Sequence, residues 1–315
     1  MGISKTDIRD AFFDEIYEIG KADKNMLFLT DDMDAFGLKK FVRDFPDQFI
    51  NIGVAEQNQI NVATGLTLCG KKVFVFGICS FMTMRCFEQI KFNICGMNLP
   101  VVVVGIGAGF SFDSDGPALH GTQDIAIMRS LPEITIYNPS DAVSASAVAR
   151  MAYEKNSPSY IRLDKGVYPV IYENSFELQS GFKIIRPVQR ISIVSTGYMT
   201  SVAMVLAEGL AGRGINVGLL DLMRLKPVDP LFYETIRNTE LLITIEENSL
   251  VGGLGSIVGE LLSDNDSDIK LKRIGSQDKQ FVVYGTRNWL HSLNNLTLPD
   301  LEETVLSWLR KTHEI

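Results

Sequence analysis

Apolar residues recur at helical spacing from Ile8 to Gly20 (Ile8, Phe12, Ile16, Ile19), which predicts an amphipathic helix closed by glycine. A short unbroken apolar run, Met26-Leu27-Phe28-Leu29, reads as a strand that delivers the chain to the acidic cluster Thr30-Asp31-Asp32-Met33-Asp34. Lys72 to Ile78 and Pro100 to Ile106 are β-branched, apolar and without alternation, the pattern of parallel strands covered on both faces. Ser80 to Gly96 and the alanine-rich Asp141 to Lys155 read as helices, and Ile134–Tyr137 and Tyr160–Leu163 as further strands. Strands alternating with helices predict a doubly wound α/β domain over about residues 1–168.

Tyr168 to Arg190 breaks this rhythm and reads as a linker containing a short strand. A second α/β unit follows, with strands at Ile191–Val194, Ile215–Leu220, Leu241–Ile245 and Ile269–Ile274, and helices near 200–212, 230–238, 254–263 and 301–312. The expected architecture is therefore α/β, two doubly wound domains, spanning residues 1–180 with the linker and 181–315.

Composition narrows the function classes. The 315 residues suffice for two sizeable cores, and 46% hydrophobic against 22% charged is ordinary for a globular protein. A net charge of -8 argues against a nucleic-acid or anionic-membrane surface. The longest apolar run, Leu99 to Phe110, carries three glycines and is too short to span a bilayer. Met1 to Asp7 has no apolar signal region, so a cytoplasmic location is expected. Cys69, Cys79, Cys86 and Cys95 form no C-x-x-C pair and sit among apolar neighbours, so they read as buried reduced thiols. Three histidines leave little for a His-rich metal site, and no metal ligands are expected on this chain.

Candidate chemistry begins at Phe49-Ile50-Asn51-Ile52-Gly53-Val54-Ala55-Glu56-Gln57-Asn58, a strand, a glycine turn and a helix with a carboxylate in its first turn. Alone, Glu56 reads as a solvated helix-start acid, since the helix dipole favours negative charge there. The turn Val251 to Gly259 could cradle a phosphate, but it lacks the spacing of a dinucleotide site or a P-loop, and close helix–sheet packing is the better reading. Gly105 to Asp124 is long for a structural loop and carries Asp113, Asp115 and His120 after a central strand, where ligands bind. Phe81, Met84 and Phe87, at spacings of three, would wall a core or a flat apolar ligand.

Together these segments resemble the transketolase family. Gly53-Val54-Ala55-Glu56-Gln57-Asn58 with Gly65, Arg85-Cys86-Phe87-Glu88-Gln89-Ile90, Asp115-Gly116-Pro117, Asp124 to Arg129 and Asn138-Pro139-Ser140-Asp141 are similar to its pyrimidine-binding domain. Glu246-Glu247-Asn248 and Gly253-Leu254-Gly255 are similar to its C-terminal domain. The resemblance implies thiamine diphosphate as cofactor, with Glu56 hydrogen-bonding the aminopyrimidine and favouring its imino tautomer. It also implies that Phe81, Met84 and Phe87 pack on that ring, the middle position being Met rather than aromatic, and that Asp32 lies near the cofactor.

The family's G-D-G motif, which anchors the diphosphate through Mg²⁺, is absent. The resemblance therefore implies a split enzyme whose Mg²⁺ ligands lie on a separately encoded N-terminal subunit, assembled as α2β2 and acting on small keto substrates. On the substrate side the family's two histidines fall on Leu119 and Gly107, with His120 one position past the first. Its phosphate-binding serine falls on Phe36 and its arginine on Lys165. Asp115 is retained, and Arg162 lies on the strand before Lys165, where it could also face the other side; Asp115, His120, Lys165 and Arg162 are the expected substrate contacts. Lys165 offers a point charge without the fork of arginine, so a smaller α-keto acid donor or a non-phosphorylated or nucleotide-linked acceptor is expected. Transfer of a ketol or acyl unit is the leading reading. The alternatives are a deoxyxylulose-phosphate-synthase-like carboligase and a non-catalytic subunit, against which a retained Glu56 speaks.

Overall fold

The computed structural model describes residues 6–173 and 178–312. The expectation for the extreme N-terminus falls largely on residues 1–5, and part of the linker on 174–177; both lie outside the described residues. Six strands of the first half are β1 Met26–Thr30, β2 Phe49–Asn51, β3 Lys72–Ile78, β4 Val101–Ile106, β5 Thr135–Tyr137 and β6 Ser159–Leu163. All pair in parallel, in the order β5-β6-β4-β3-β1-β2. The unbroken apolar runs serve two cores at once, because successive side chains leave a strand on opposite faces. Met26, Phe28, Phe74, Phe76, Val102 and Val104 pack under the Ile8–Ala22 and Ala142–Glu154 helices. Leu27, Leu29, Val73, Val75, Val101 and Val103 face the Glu56–Leu68 helix and the helical stretch after β3.

The second half supplies β7 Phe182–Arg186, β8 Ile191–Ser195, β9 Gly218–Leu222, β10 Arg224–Lys226, β11 Leu241–Ser249 and β12 Lys270–Ser276. Five form a sheet ordered β12-β11-β8-β9-β7, parallel except for the edge strand β7. One face packs on the Tyr198–Gly212 and Leu298–Lys311 helices. On the other, Leu220, Leu222 and Leu242, with Leu254 of the Leu254–Asp264 helix, share one core with Leu29, Ile60, Ile90 and Met128 of the first domain. The two domains are therefore joined by a common apolar core. The strand β10 crosses to the first sheet and pairs antiparallel with β5.

Several elements differ from the sequence reading. The strand expected from Ile215 starts at Gly218, β11 runs on to Ser249, and the Leu38–Asp44, Asp124–Arg129 and Arg287–Asn294 helices were not anticipated. The continuous helix expected over Ser80 to Gly96 is instead a π-helical turn at Phe81–Arg85, a short α-turn at Phe87–Gln89, and a second π-turn at Ile90–Cys95. Cys79, Cys86 and Cys95 are buried free thiols, as expected, whereas Cys69 is exposed. Among the described residues no helix is long and apolar enough to cross a membrane.

Candidate functional site

Parallel strands bring their following loops to one edge of the sheet, and the candidate residues gather there: Asp31 and Asp32 after β1, Ser80 after β3, Gly107 to His120 after β4, and Lys165 after β6. Gly53, at φ +75°, turns the chain from β2 into the Glu56–Leu68 helix. Glu56 opens that helix with the dipole behind it, yet it is only 3% exposed, so the solvated-acid reading fails. Its Oε1 accepts a hydrogen bond from Arg85 Nη1 at 2.7 Å. The Arg85 guanidinium, half exposed, lies 4.3 Å above the Phe81 ring.

A second carboxylate faces this pair. Asp31 is buried, with Oδ1 lacking any hydrogen-bond partner. Burial, with the neighbouring Glu56 charge adding to it, pushes its carboxyl up to about 7. A Cβ on Gly77 would run into Asp31, so that glycine makes room for it. The sequence pointed to Asp32, its neighbour. Asp32 sits at φ +71°, which turns it outward, exposed and hydrogen-bonded by Asn51 Nδ2 at 3.0 Å. A folded-state value raised above the unfolded one means that Asp31 stabilises the fold at low pH and loses that contribution as pH rises through about 7. Asp31→Asn is therefore expected to remove a gain in stability that the wild type shows between pH 8 and about pH 5. Urea midpoints across that range check this; parallel pH profiles for the two proteins would refute it.

The wider π-turn redistributes the aromatic stripe. Met84, 45% exposed, and half-buried Phe81 form an apolar wall near Glu56, while Phe87 packs on the core beneath. Single π-turns are frequent at functional sites, because they re-aim side chains that an α-turn would align.

The loop after β4 is built rather than slack. Ala108 and Gly109 bridge to Gly121, and Ser80 Oγ donates to Ala118 O at 2.7 Å. The Phe112 ring occupies the place a Gly107 side chain would need, and Gly107 has φ +103°, so the family's histidine has no room at this position. His120 is 6% exposed, its Nε2 3.3 Å from Asp113 O and its ring edge-on to Phe110. Lys165 reaches Asp115 at 3.4 Å and lies 4.3 Å above the Phe112 ring, so these two expected contacts do meet at the surface.

Arg162 does not join them. Its side chain is 5% exposed and points inward, where Nε donates to Asp124 at 2.8 Å and Nη2 donates to Gly121 O at 2.7 Å. Tyr160 adds its hydroxyl to the same carboxylate at 2.7 Å. The substrate role expected for Arg162 is thus corrected to a structural one, holding the base of the loop. The glycine-rich turn also proves structural: the amides of Leu254 and Gly255 donate to Glu246 at 2.7 and 2.8 Å, leaving no phosphate cradle.

The C-terminal domain grips the loop through Glu247, seen in the sequence only as part of a motif, and through Arg287 and His291, which sequence reasoning missed. Glu247 on β11 accepts from the Phe110 amide at 3.1 Å, from Arg287 Nε at 2.8 Å, and from His291. Arg287 also reaches Asp164 and the Tyr168 hydroxyl, at 2.8 and 2.9 Å, with its guanidinium 3.6 Å from the Tyr198 ring centre. Among the described residues no group of three His, Cys, Asp or Glu side chains is placed to hold a metal ion.

Known proteins resemble this chain over most of its length. Residues 4–170 match the transketolase pyrimidine-binding domain and residues 181–296 the transketolase C-terminal domain. A putative transketolase C-terminal section of Methanocaldococcus jannaschii is 32% identical over 86% of this chain and 86% of its own. One of the subunits of an apulose-4-phosphate transketolase from Phocaeicola vulgatus is 31% identical over 96% of this chain and 97% of its own. A solved split-gene transketolase, described as an inactive beta4 tetramer, superposes with a TM-score of 0.85 at 31% identity, covering 96% and 98% of the two chains. The chain belongs to the transketolase family, in which it corresponds to the pyrimidine-binding and C-terminal half.

Proposed function

We propose that this chain is the C-terminal subunit of a split, thiamine-diphosphate-dependent transketolase that transfers a ketol unit between carbonyl compounds. The observation that carries this reading is Glu56: a carboxylate at a helix start, 3% exposed, beside the apolar wall of Phe81 and Met84. That donor set suits an aminopyrimidine, which needs an acceptor or proton donor at its edge and apolar contact on its face. The unpartnered oxygen of Asp31 supplies further acceptor capacity next to it. When bound, thiamine diphosphate supplies the carbanion chemistry that no side chain here can provide.

The residues of the chain bind, orient and move protons. Glu56 holds and relays the proton at a pyrimidine ring nitrogen. Met84 and Phe81 fix the ring plane, with Phe87 supporting them from the core. Arg85 shares Glu56 and must yield or share it when the ring enters. Asp115 accepts hydrogen bonds from substrate hydroxyls, His120 lines the approach, and Lys165 offers a point charge to an anionic group. The Mg²⁺ ligands and the diphosphate site belong to a separately encoded partner in an α2β2 complex. The subunit names of the relatives support such a partner. The free cysteines suit a cytoplasmic location.

Calorimetric titration with thiamine diphosphate and Mg²⁺ tests the split site. Binding is expected only when the partner subunit is present. Tight binding by the chain alone would overturn the divided site, and absence of binding by the complex would overturn the cofactor.

A further inference from the structure

Two buried carboxyls occupy the Glu56 site, and one cation serves them. Asp31, just after β1, is 6% exposed, and Glu56, opening the Glu56–Leu68 helix, is 3% exposed. Among the described residues Arg85 is the cation that acts on both, and its guanidinium is bonded to Glu56. Asp31 receives no such bond, and its Oδ1 has no partner. The sheet is nevertheless shaped around this acid: a Cβ on Gly77 of β3 would run into Asp31 Oδ2 and Met82 Sδ. The remaining neighbours bring no counter-charge. Asp32 turns outward to Asn51, and Cys86 stays a thiol, since burial first and the Glu56 charge next push it up to about 12.

Charge balance then sets the proton content. With Glu56 ionised against Arg85, a second buried carboxylate would stand without a counter-charge, which is costly. The pair therefore keeps one proton, and because Arg85 holds Glu56, the proton resides on Asp31. One carboxylate, one guanidinium and one carboxylic acid make the site neutral. A protonated aminopyrimidine nitrogen beside Glu56 would add a second positive charge, and an ionised Asp31 would balance it. We propose that Asp31 is a positioning residue that stores a proton for this site and releases it when the ring is protonated beside Glu56. In that exchange the Asp31 O–H bond breaks, its electron pair stays on the carboxylate, and an N–H bond forms on the ring. The net charge of the site is unchanged, and no proton is drawn from solution. The effect runs through charge, across Glu56, and needs no contact between Asp31 and a ligand. The release step rests on the cofactor reading; the proton shared by the two carboxyls in the chain alone does not.

Calorimetric titration of the complex with thiamine diphosphate and Mg²⁺, repeated in buffers of different ionisation enthalpy, counts the protons taken up on binding. The wild type should take up almost none at pH 6 and about one at pH 8, where Asp31 is already ionised. Asp31→Asn, neutral like the stored acid but with no proton to release, should take up about one at pH 6. Equal uptake by the two proteins at pH 6, or no rise in the wild type between pH 6 and pH 8, overturns the proposal. In the chain alone, carboxyl-carbon NMR should show Asp31 neutral at pH 6. Arg85→Met, at a half-exposed position, should lose the last proton of the pair at higher pH, because the balancing cation is gone. An Asp31 carboxyl ionised at pH 6, or a titration unmoved in Arg85→Met, overturns the stored proton. Absence of cofactor binding with this titration intact overturns the cofactor reading, and the release step with it.

Discussion

Glu56→Gln is expected to lower turnover of the complex with its partner by about 10²–10⁴-fold, the share that a positioned acid–base group contributes. Glutamine keeps the length and one acceptor oxygen, so the hydrogen bond from Arg85 survives and the helix start is undisturbed. What it loses is the exchangeable proton, and with it the relay to the ring. The substitution also removes the negative charge that helps raise Asp31, whose carboxyl should then titrate lower than about 7. Steady-state kinetics with saturating thiamine diphosphate read the first effect, and the pH profile of residual turnover reads the second. A loss of only a few-fold, with stability and cofactor affinity unchanged, would remove Glu56 from the chemistry and leave it a packing residue.

The parts of this site legible in the sequence are those set by period and turn chemistry. Unbroken runs such as Val101-Val102-Val103-Val104 announce doubly covered parallel strands, and these place every following loop at one edge. The Gly53 turn, Glu56 and the long loop to Asp124 follow from that placement and from the family resemblance. Choices that depend on one dihedral or one distant contact were not legible. In Thr30-Asp31-Asp32-Met33-Asp34 the carboxylate that turns inward is decided by the positive φ of Asp32, for which the local pattern gives no signal. Spacing alone placed Arg162 near Lys165, but its burial is set by Asp124, 38 residues away in the chain. The π-turn after Ser80 has the same apolar composition as an α-helix, and β10 is only three residues long. Glu247 was visible only as part of a motif, because its partner Arg287 opens a helix with a single capping Thr286 as its cue.

Arg287→Leu is expected to destabilise the chain by about 3–5 kcal/mol, the cost of leaving buried charges without their partner. The Arg287 side chain is 14% exposed and lies between Asp164 of the first domain and Glu247 of the second, which are 4% and 3% exposed. Burial works against the Glu247 charge, but Arg287 first and His291 next hold its carboxyl well below the usual range. A depressed folded-state value means that this stabilisation is present above the unfolded carboxylate value, about 4.3, and is lost as pH falls through the lower folded one. In Arg287→Leu the same burial is opposed only by His291 and the Phe110 amide, so Glu247 takes up a proton more readily and the variant recovers as the solution is acidified. The gap between wild type and variant should accordingly be widest near pH 7 and narrow toward pH 4. Arg287→Lys should restore only part of the loss, since a single ammonium cannot serve both carboxylates with the geometry of a guanidinium. Urea unfolding of the three proteins at both pH values decides the matter. A loss below about 1 kcal/mol, independent of pH, would place this cluster among ordinary surface pairs. The predicted loss would identify it as the cluster through which the C-terminal domain holds the loop after β4 in place.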